Sequence, residues 1–534
     1  MKEVVIIEAP GKVGALKNIL KALRRPAKVV ATFGSLYDLP KSSLGLDPDR
    51  LTPTGWEVAN EKVVSRLVEA LEGASVAWLM TDSDREGELI ASQAATAIRQ
   101  FCPGFTGQVH RIVATSMTKE AVSQAFAHPR AIERDLVLQA LARRGLDRAI
   151  GFLCSNQSIA DNVAGRISAV LVGSVAHAPL ENLTLKGRHP DGRGWRVSAT
   201  ATLAERQSLE ALSEAFARGD HELFSGCVRR KVSLSAPPPL TGAEAILLVT
   251  SQLAISVRDS ERIIQQGYEN GDLSYPRTDA RQYSAETQAR LRAYMRQHNT
   301  RAVSRDRSWE SAPRAQQAHE SLHVLTNRVH LQASLDGLSK YDAALSLIAR
   351  RSCAALAPDA EVERTIIPQA TIDAYLGKRN LPSIQVRIWK DEPESAGWMV
   401  LERDLVPTAT LLAIPDDQAI LARIINREIG RPSTIVGHVQ NVLRRGWIEQ
   451  GSLSERGLRE FAFLQASLPN LLAAPDLEQY LEGLHNVDLK DAIWNGARFM
   501  GFAPETLATE ASRFTKQVEW IALAEDAPVM AGPN

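Results

Sequence analysis

The chain of 534 residues has only four cysteines, Cys102, Cys154, Cys227 and Cys353, and no Cys-x-x-Cys pair. That spacing excludes a zinc ribbon. No apolar run reaches the length of a membrane span, and Met1-Lys2-Glu3 leads into a strand pattern and not a signal peptide, so a cytoplasmic protein with no membrane partner is expected. Charge of one sign is not in excess either. The 62 basic and 62 acidic residues cancel formally, which weighs mildly against a polyanionic partner unless the basic residues gather locally. No Gly-x-x-x-x-Gly-Lys loop is present, so nothing points to ATP. There is no internal repeat and no low-complexity tract. What remains is a chain that is 44% hydrophobic, enough for packed cores, and long enough for roughly three to four domains.

Two acidic strand ends stand out. Val4-Val5-Ile6-Ile7 reads as a buried strand and runs into Glu8-Ala9-Pro10-Gly11-Lys12, before a helix with Val13, Leu16, Leu20 and Leu23 on one face. A second apolar strand, Ser75 to Met80, ends in Thr81-Asp82-Ser83-Asp84-Arg85-Glu86-Gly87-Glu88, and Leu89-Ile90-Ala91 begins the next helix. In open parallel sheets ligands bind at the carboxyl ends of the strands. Asp82 and Asp84, read as sharing a face, repel unless a cation neutralises them. Hard oxygen donors without Cys or His suit Mg²⁺. The competing reading is an acidic turn that caps a helix. A third carboxylate, Glu8, at a second strand end favours the metal.

A hexapeptide farther on supplies a nucleophile. In Ser274-Tyr275-Pro276-Arg277-Thr278-Asp279 an aromatic hydroxyl precedes a rigid proline, and Arg277, two residues on, shares its face if the segment is extended. A phenolate attacking phosphate needs such a cation close by. A buried core tyrosine is the blander alternative.

Taken together, Glu8 with Lys12, the Asp-x-Asp-x-Glu-Gly-Glu element at Asp82 to Glu88, and the Tyr-Pro-Arg-Thr-Asp element resemble the type IA DNA topoisomerases. The first two are similar to the Toprim domain, which primases and certain nucleases share without the tyrosine element. Ala142-Arg143-Arg144 with Asp147-Arg148, Ala164-Gly165-Arg166, Ala318-His319-Glu320 and Ile429-Gly430-Arg431-Pro432-Ser433-Thr434 are similar to further family segments in the same order.

The resemblance implies that Tyr275 attacks one phosphodiester of single-stranded DNA. Glu8 would act as acid and base, Lys12 and Arg277 would hold the scissile phosphate, and His319 would hydrogen-bond it. Mg²⁺ would be held by Glu8, Asp82, Asp84 and Glu86, and DNA by Arg143, Arg144, Asp147, Arg166, Arg431 and Ser433. The partners implied are single-stranded, negatively supercoiled or catenated DNA, and a helicase, with the protein a monomer associated with the nucleoid. Without zinc ribbons the chain looks more like a decatenating topoisomerase III than a relaxing topoisomerase I. A Toprim nuclease and a non-catalytic DNA-binding remnant are the alternatives.

Departures from the family pattern are Ser35 after Gly34, Val163 and Ser168 around Ala-Gly-Arg, and His323 after Ala-His-Glu, all at positions expected near DNA or the scissile region. Among the basic pairs, Arg143-Arg144, Arg229-Arg230-Lys231, Arg350-Arg351 and Arg444-Arg445, the second arginine pair of the chain's middle, Arg350-Arg351, reads as a solvated helix face.

The expected architecture is an α/β Toprim domain with helical domains and a β-sheet hinge, arranged as a toroidal clamp. Residues 1–127 form the Toprim part, and 128–190 with 411–534 a helical DNA-binding part. Residues 191–236 with 331–410 form a β-rich hinge or arch, and 237–330 a helical part carrying the tyrosine. Lys186 to Gly192 marks a boundary between helical and extended regions. The alternating Trp195, Val197, Ala199, Ala201 and Leu203 are expected to share one sheet with Ile384, Val386 and Ile388.

Overall fold

The computed structural model describes residues 2–512 apart from 41–43, 115–116, 158–165, 192–193, 310–319, 330, 332–333, 392–407, 431–433, 468 and 473–476. The chain divides into two compact units, one of Met1–Val170, Tyr268–Ser274 and Phe463–Asn534, the other of Leu171–Gly267 and Tyr275–Ala462.

The first unit is built on a parallel sheet. Its elements in order are β1 (Glu3–Ile7), α1 (Lys12–Ala22), β2 (Ala27–Ala31), the short pair β3 (Tyr37–Asp38) and β4 (Glu57–Val58), α2 (Glu61–Leu71), β5 (Val76–Leu79), α3 (Arg85–Phe101), β6 (Gln108–Arg111), α4 (Lys119–Ala127) and α5 (Arg134–Gln157). Strand order is β2-β1-β5-β6, and each neighbouring pair is parallel. A central strand covered on both faces must be apolar throughout, which is why Val4, Val5, Ile6 and Ile7 are all buried. On one face Val5, Ile7, Trp78 and Met80 pack with Leu16 and Leu20 of α1 and with Val122 and Phe126 of α4. Helix starts follow capping chemistry: Asn60 accepts from the Lys62 amide and Thr118 from the Ala121 amide. The long α5 packs on α3 and on the helices Leu477–Glu482, Leu489–Phe499 and Pro504–Ser512.

The second unit centres on a six-stranded antiparallel sheet. Its strands are β7 (Leu183–Arg188), β8 (Trp195–Ala201), β9 (Val228–Leu234), β10 (Ala360–Ile367), β11 (Val386–Asp391) and β12 (Thr410–Ala413), in the order β12-β7-β8-β11-β10-β9. The two alternating stretches do meet: Val197 pairs with Ile388 and Ala199 with Val386. Their inward side chains pack with Leu209, Leu212 and Phe216 of the helix Arg206–Arg218 and with Ile372 and Leu376 of the helix Gln369–Gly377. The edge strand β9 exposes Arg229, Arg230 and Lys231, and charge on an edge discourages pairing with another chain.

Two expectations are corrected. The region up to residue 190 is not helical throughout. Leu183 and Leu185 alternate with more exposed neighbours, so β7 forms there, and the turn begins only after Arg188. Nor is Arg350 on a solvated face. The helix Lys340–Ala354 is buried on most sides, and Arg350 lies inside it at 3% exposure. Among the described residues no helix is long and apolar enough to cross a membrane.

Candidate active site

In a parallel sheet the carboxyl ends of all strands reach one edge, and here that edge collects charge. The Met80 amide donates to Ile6 O at 2.7 Å, which sets the exit of β5 beside that of β1. Beyond these exits, Lys12 at the start of α1 donates to Asp82 Oδ1 at 2.5 Å. Lys12 is almost fully buried, and its Nζ lies 4.3 Å from the centroid of the Tyr268 ring. Burial by itself lowers a lysine pKa, but Asp82 and Tyr268 together outweigh it and hold Lys12 above its ordinary value. Burial likewise pushes the Tyr268 hydroxyl up to about 12, against the pull of Lys12. The lysine is therefore a fixed positive charge at this edge.

Asp84 has extended backbone geometry and caps α3, accepting from the Gly87 amide at 2.8 Å, while Thr81 Oγ1 donates to Gly87 O at 2.6 Å. Only glycine fits at position 87, because a Cβ there would lie 2.1 Å from Asp82 O. This explains the glycine of the acidic element: the helix must start directly against the backbone that carries Asp82. Glu88, next along, faces inward. It has no exposed surface and accepts from Arg111 at 2.6 and 3.0 Å, from Arg130 at 2.6 Å and from the Glu133 amide at 3.0 Å. The Arg111 guanidinium also donates to the carbonyls of Thr81 and Asp82, at 2.8 and 2.7 Å. A buried arginine, balanced by Glu88, thus holds the acidic loop from behind.

The third strand end, that of β2, adds an aromatic. The Thr32 amide donates to Ile7 O and the Phe33 amide to Glu8 O, at 2.8 and 2.9 Å, so β2 continues pairing past its last regular residue. Phe33 has φ +60° and is 55% exposed. A bulky side chain in the left-handed region costs about 1–2 kcal/mol. The loop it opens is pinned farther on: Gln93 Oε1 accepts from the Leu36 and Tyr37 amides at 2.9 and 3.3 Å, and Arg144 donates to Asp38 at 2.9 Å. Arg144 also lies 4.0 Å from Glu86 and over the Trp56 ring. Its neighbour Arg143 pairs with Asp147 one helical turn on, at 3.4 Å.

In the second unit Tyr275 is 6% exposed and sits on a non-helical segment after the helix Val257–Glu269. This segment is clamped by the helix Gly242–Leu253: the Gly242 amide donates to Thr278 O at 2.7 Å, and a Cβ at Gly242 would lie 1.8 Å from Pro276 O. The clamp is braced by Thr241 and Glu244, which form a capping box, and by Arg281, which grips Glu244 with two bonds of 2.6 and 2.9 Å. Arg277 acts on Glu261: burial raises the Glu261 pKa, and the positive charges of Arg277 and Arg258 oppose the rise.

The structure therefore joins Lys12 to Asp82 and brings Arg144 beside Glu86, while Tyr275 and Arg277 belong to the other unit. Among the described residues the carboxylates do not converge into one cluster. Asp82 is taken by Lys12 and Asp84 by the helix cap, and among the described residues no three His, Cys, Asp or Glu side chains gather closely enough for an ion. The all-carboxylate donor set still fits a hard divalent cation, and Lys12 now supplies the positive charge that such an ion would bring to Asp82.

His319, Arg431, Ser433 and Val163 lie outside the described residues, as does the side chain of Arg166. Of the departures, Ser168 and His323 are buried and Ser35 is half-buried. His323 is a core residue and not a DNA contact: its Nδ1–H donates to Ser321 O at 2.7 Å, and its ring packs edge-on against Tyr283. Sequence reasoning missed Tyr268, Glu88 and Arg111. Glu88 stood inside the quoted motif, but nothing in sequence distinguishes an inward carboxylate from a ligand.

The acidic β5 exit, the Glu8–Lys12 turn and the β2-β1-β5-β6 sheet define a Toprim domain, and the Toprim profile matches residues 3–115. Toprim domains bind divalent metal. A second profile, described as DNA topoisomerase, matches residues 131–404, which is more than half the chain, and the protein belongs to the type IA DNA topoisomerase family.

The chain is 29% identical over 397 residues to DNA topoisomerase 1 of Zymomonas mobilis, covering 68% of this chain and 32% of that one. It is 25% identical to DNA topoisomerase 1 of Vibrio cholerae, covering 84% and 59%. With DNA topoisomerase 1 of Aquifex aeolicus identity is 24%, covering 92% and 96%. The chain thus spans about a third to three fifths of the first two relatives and nearly all of the third. The fold is that of full-length topoisomerase I from Thermotoga maritima, with TM-score 0.62, 18% identity, and 96% and 90% of the two chains covered.

Proposed function

We propose that this protein cuts, passes and rejoins single-stranded DNA through a covalent tyrosine intermediate. The observation that carries the reading is the continuity of one segment: Tyr268 covers Lys12 in the Toprim unit, and seven residues on, the chain presents Tyr275 on a clamped turn with Arg277. The Tyr275 hydroxyl oxygen bonds to phosphorus as its proton passes to solvent water, the bond from phosphorus to the 3′ oxygen breaks, and Glu8 gives that oxygen its proton. Rejoining reverses each transfer, so the energy of the cut bond is conserved and no ATP is required. Lys12 and Arg277 steady the charge on the attacked phosphate, with His319 as a further donor. Mg²⁺ held by Glu8, Asp82, Asp84 and Glu86 would neutralise these acids and orient the DNA phosphates. Arg143, Arg144, Asp147, Arg166, Arg431 and Ser433 line the proposed path of the strand.

The proposed organisation remains four-part, with residues 237–330 lifting on the sheet of 191–236 and 331–410 away from 1–127, next to the helical part of 128–190 with 411–534. A monomer working with a helicase at the nucleoid in the cytoplasm completes the reading. Decatenation of the topoisomerase III kind is the expectation from the lack of zinc ribbons, while the relatives carry the name DNA topoisomerase 1. One preparation assayed on supercoiled and on catenated plasmid separates the two.

The test is trapping. Wild type mixed with an end-labelled single-stranded oligonucleotide and Mg²⁺, then denatured, is expected to carry the label as a 5′ adduct, and Tyr275→Phe to carry none. Cleavage without an adduct in Tyr275→Phe would make the protein a Toprim nuclease. No cleavage in either would leave a DNA-binding remnant.

A further inference from the structure

We infer that Phe33 is a base-stacking residue, which seats one unpaired nucleobase at the Toprim edge beside Glu8. An exposed phenylalanine alone needs no explanation. This one, however, combines exposure of 55% with a left-handed backbone, and its amide is bonded to the carbonyl of Glu8 itself. A flexible loop would relax such strain. Here Gln93 holds Leu36 and Tyr37, and Arg144 holds Asp38, so the ring is presented on a loop fixed at both ends. The next residue, Gly34, also has positive φ, +98°, and a Cβ built there would meet nothing within 4 Å, so no neighbouring atom crowds the turn beside the ring.

The loop that carries this ring is also gripped by Arg144, whose side chain is 24% exposed, so a partly open cation lies on the same loop for a phosphate. An aromatic platform beside cations is the arrangement that binds single strands, because any unpaired base offers a face to stack, whereas a duplex hides its faces. The inference rests on the reading that this protein acts on single-stranded DNA. It adds a residue that selects unpaired over paired DNA and sets which nucleotide lies next to the cut.

The experiment uses a fluorescein-labelled single-stranded oligonucleotide with a mapped cleavage site, and a set in which each nucleotide near that site is in turn replaced by an abasic one. Binding is read by anisotropy and cleavage by adduct yield. Phe33→Ala is expected to weaken binding about 5- to 150-fold, the range for loss of one stacked base, and Phe33→Trp to retain it. In wild type one abasic position should cost a similar factor, and in Phe33→Ala that same position should cost nothing further. A merely structural role would leave the two losses multiplying. Wild-type affinity in Phe33→Ala, or losses that multiply at every abasic position, overturns the inference. Adducts that form normally in that case leave the functional reading standing, while absence of any adduct with wild type sinks that reading first.

Discussion

Replacing Glu88 by methionine tests whether the acidic loop is held from behind. Glu88 has no exposed surface, and Arg111 beside it is 1% exposed at the side chain, so the change keeps the volume and strips a buried guanidinium of its carboxylate. Breaking a buried pair by removing one partner costs about 3–5 kcal/mol, because the remaining charge cannot be hydrated. For a unit of about 150–250 residues each kcal/mol lowers the melting temperature by about 2–4 °C, so a fall of about 6–20 °C is expected. Calorimetry and urea melts followed by the fluorescence of Trp78 and its neighbours read this directly.

Arg130→Met is the control. That arginine touches the same oxygen but is 30% exposed and keeps contact with solvent, so its loss should cost less than that of Arg111. Adding Arg111→Met to Glu88→Met should cost less than Arg111→Met alone, since the stranded charge is then gone. A Glu88→Met protein within about 1 kcal/mol of wild type, or a larger loss from Arg130→Met than from Arg111→Met, would refute the reasoning.

Gly87→Ala puts a methyl group 2.1 Å from Asp82 O, so about 1–3 kcal/mol of stability and most adduct yield should be lost; an unchanged trapping assay would show that the loop can move aside. Gly242→Ala drives a Cβ into Pro276 O and should displace Tyr275, seen as reduced trapping while oligonucleotide affinity measured by anisotropy persists. Burial first, and the charge of Arg290 second, lower the His323 pKa to about 4, so the folded state refuses a proton that the unfolded chain accepts near pH 6.5. Its neutral form therefore supports the fold fully above about pH 6.5, and about 3 kcal/mol is lost as the pH falls toward 4; His323→Phe should flatten that part of a stability-versus-pH curve. Chelation by EDTA should abolish relaxation of supercoiled plasmid and added Mg²⁺ restore it, whereas persistence in EDTA would remove the metal from the reading.

The elements that could be read in sequence are those whose pattern is local. Val4 to Ile7 is a buried strand because four consecutive apolar residues suit a strand covered on both faces. The pairing of Val197 with Ile388 was foreshadowed because both stretches alternate with period two. Where longer-range packing decides, the pattern misleads. Leu183 to Arg188 follows a helical run and ends in the Gly187 turn signal, so its short alternation reads with the helix before it, and the strand becomes visible beside β8 and β12. Arg350 carries a full charge, yet it lies in a helix whose own alanines and leucines are buried on most sides, and the sequence gives no hint of what packs against them.

The candidate site divides in the same way. Which residue types it offers was determined by sequence alone: acids at two strand ends, Lys12 one helix start away, and a tyrosine followed by proline and arginine. Motif order along the chain was enough to indicate the family, because chemistry of this kind requires those groups at those local spacings. Only the tertiary structure decided how the acids are occupied, with Asp82 given to Lys12, Asp84 to the α3 cap and Glu88 turned inward to Arg111. A carboxylate's role depends on which cation or amide lies within about 3 Å of it. For Asp82 and Glu88 that partner arrives from residues 70 and 23 positions away, so its identity is a property of packing, whereas the cap from Asp84 to Gly87 is local to the motif.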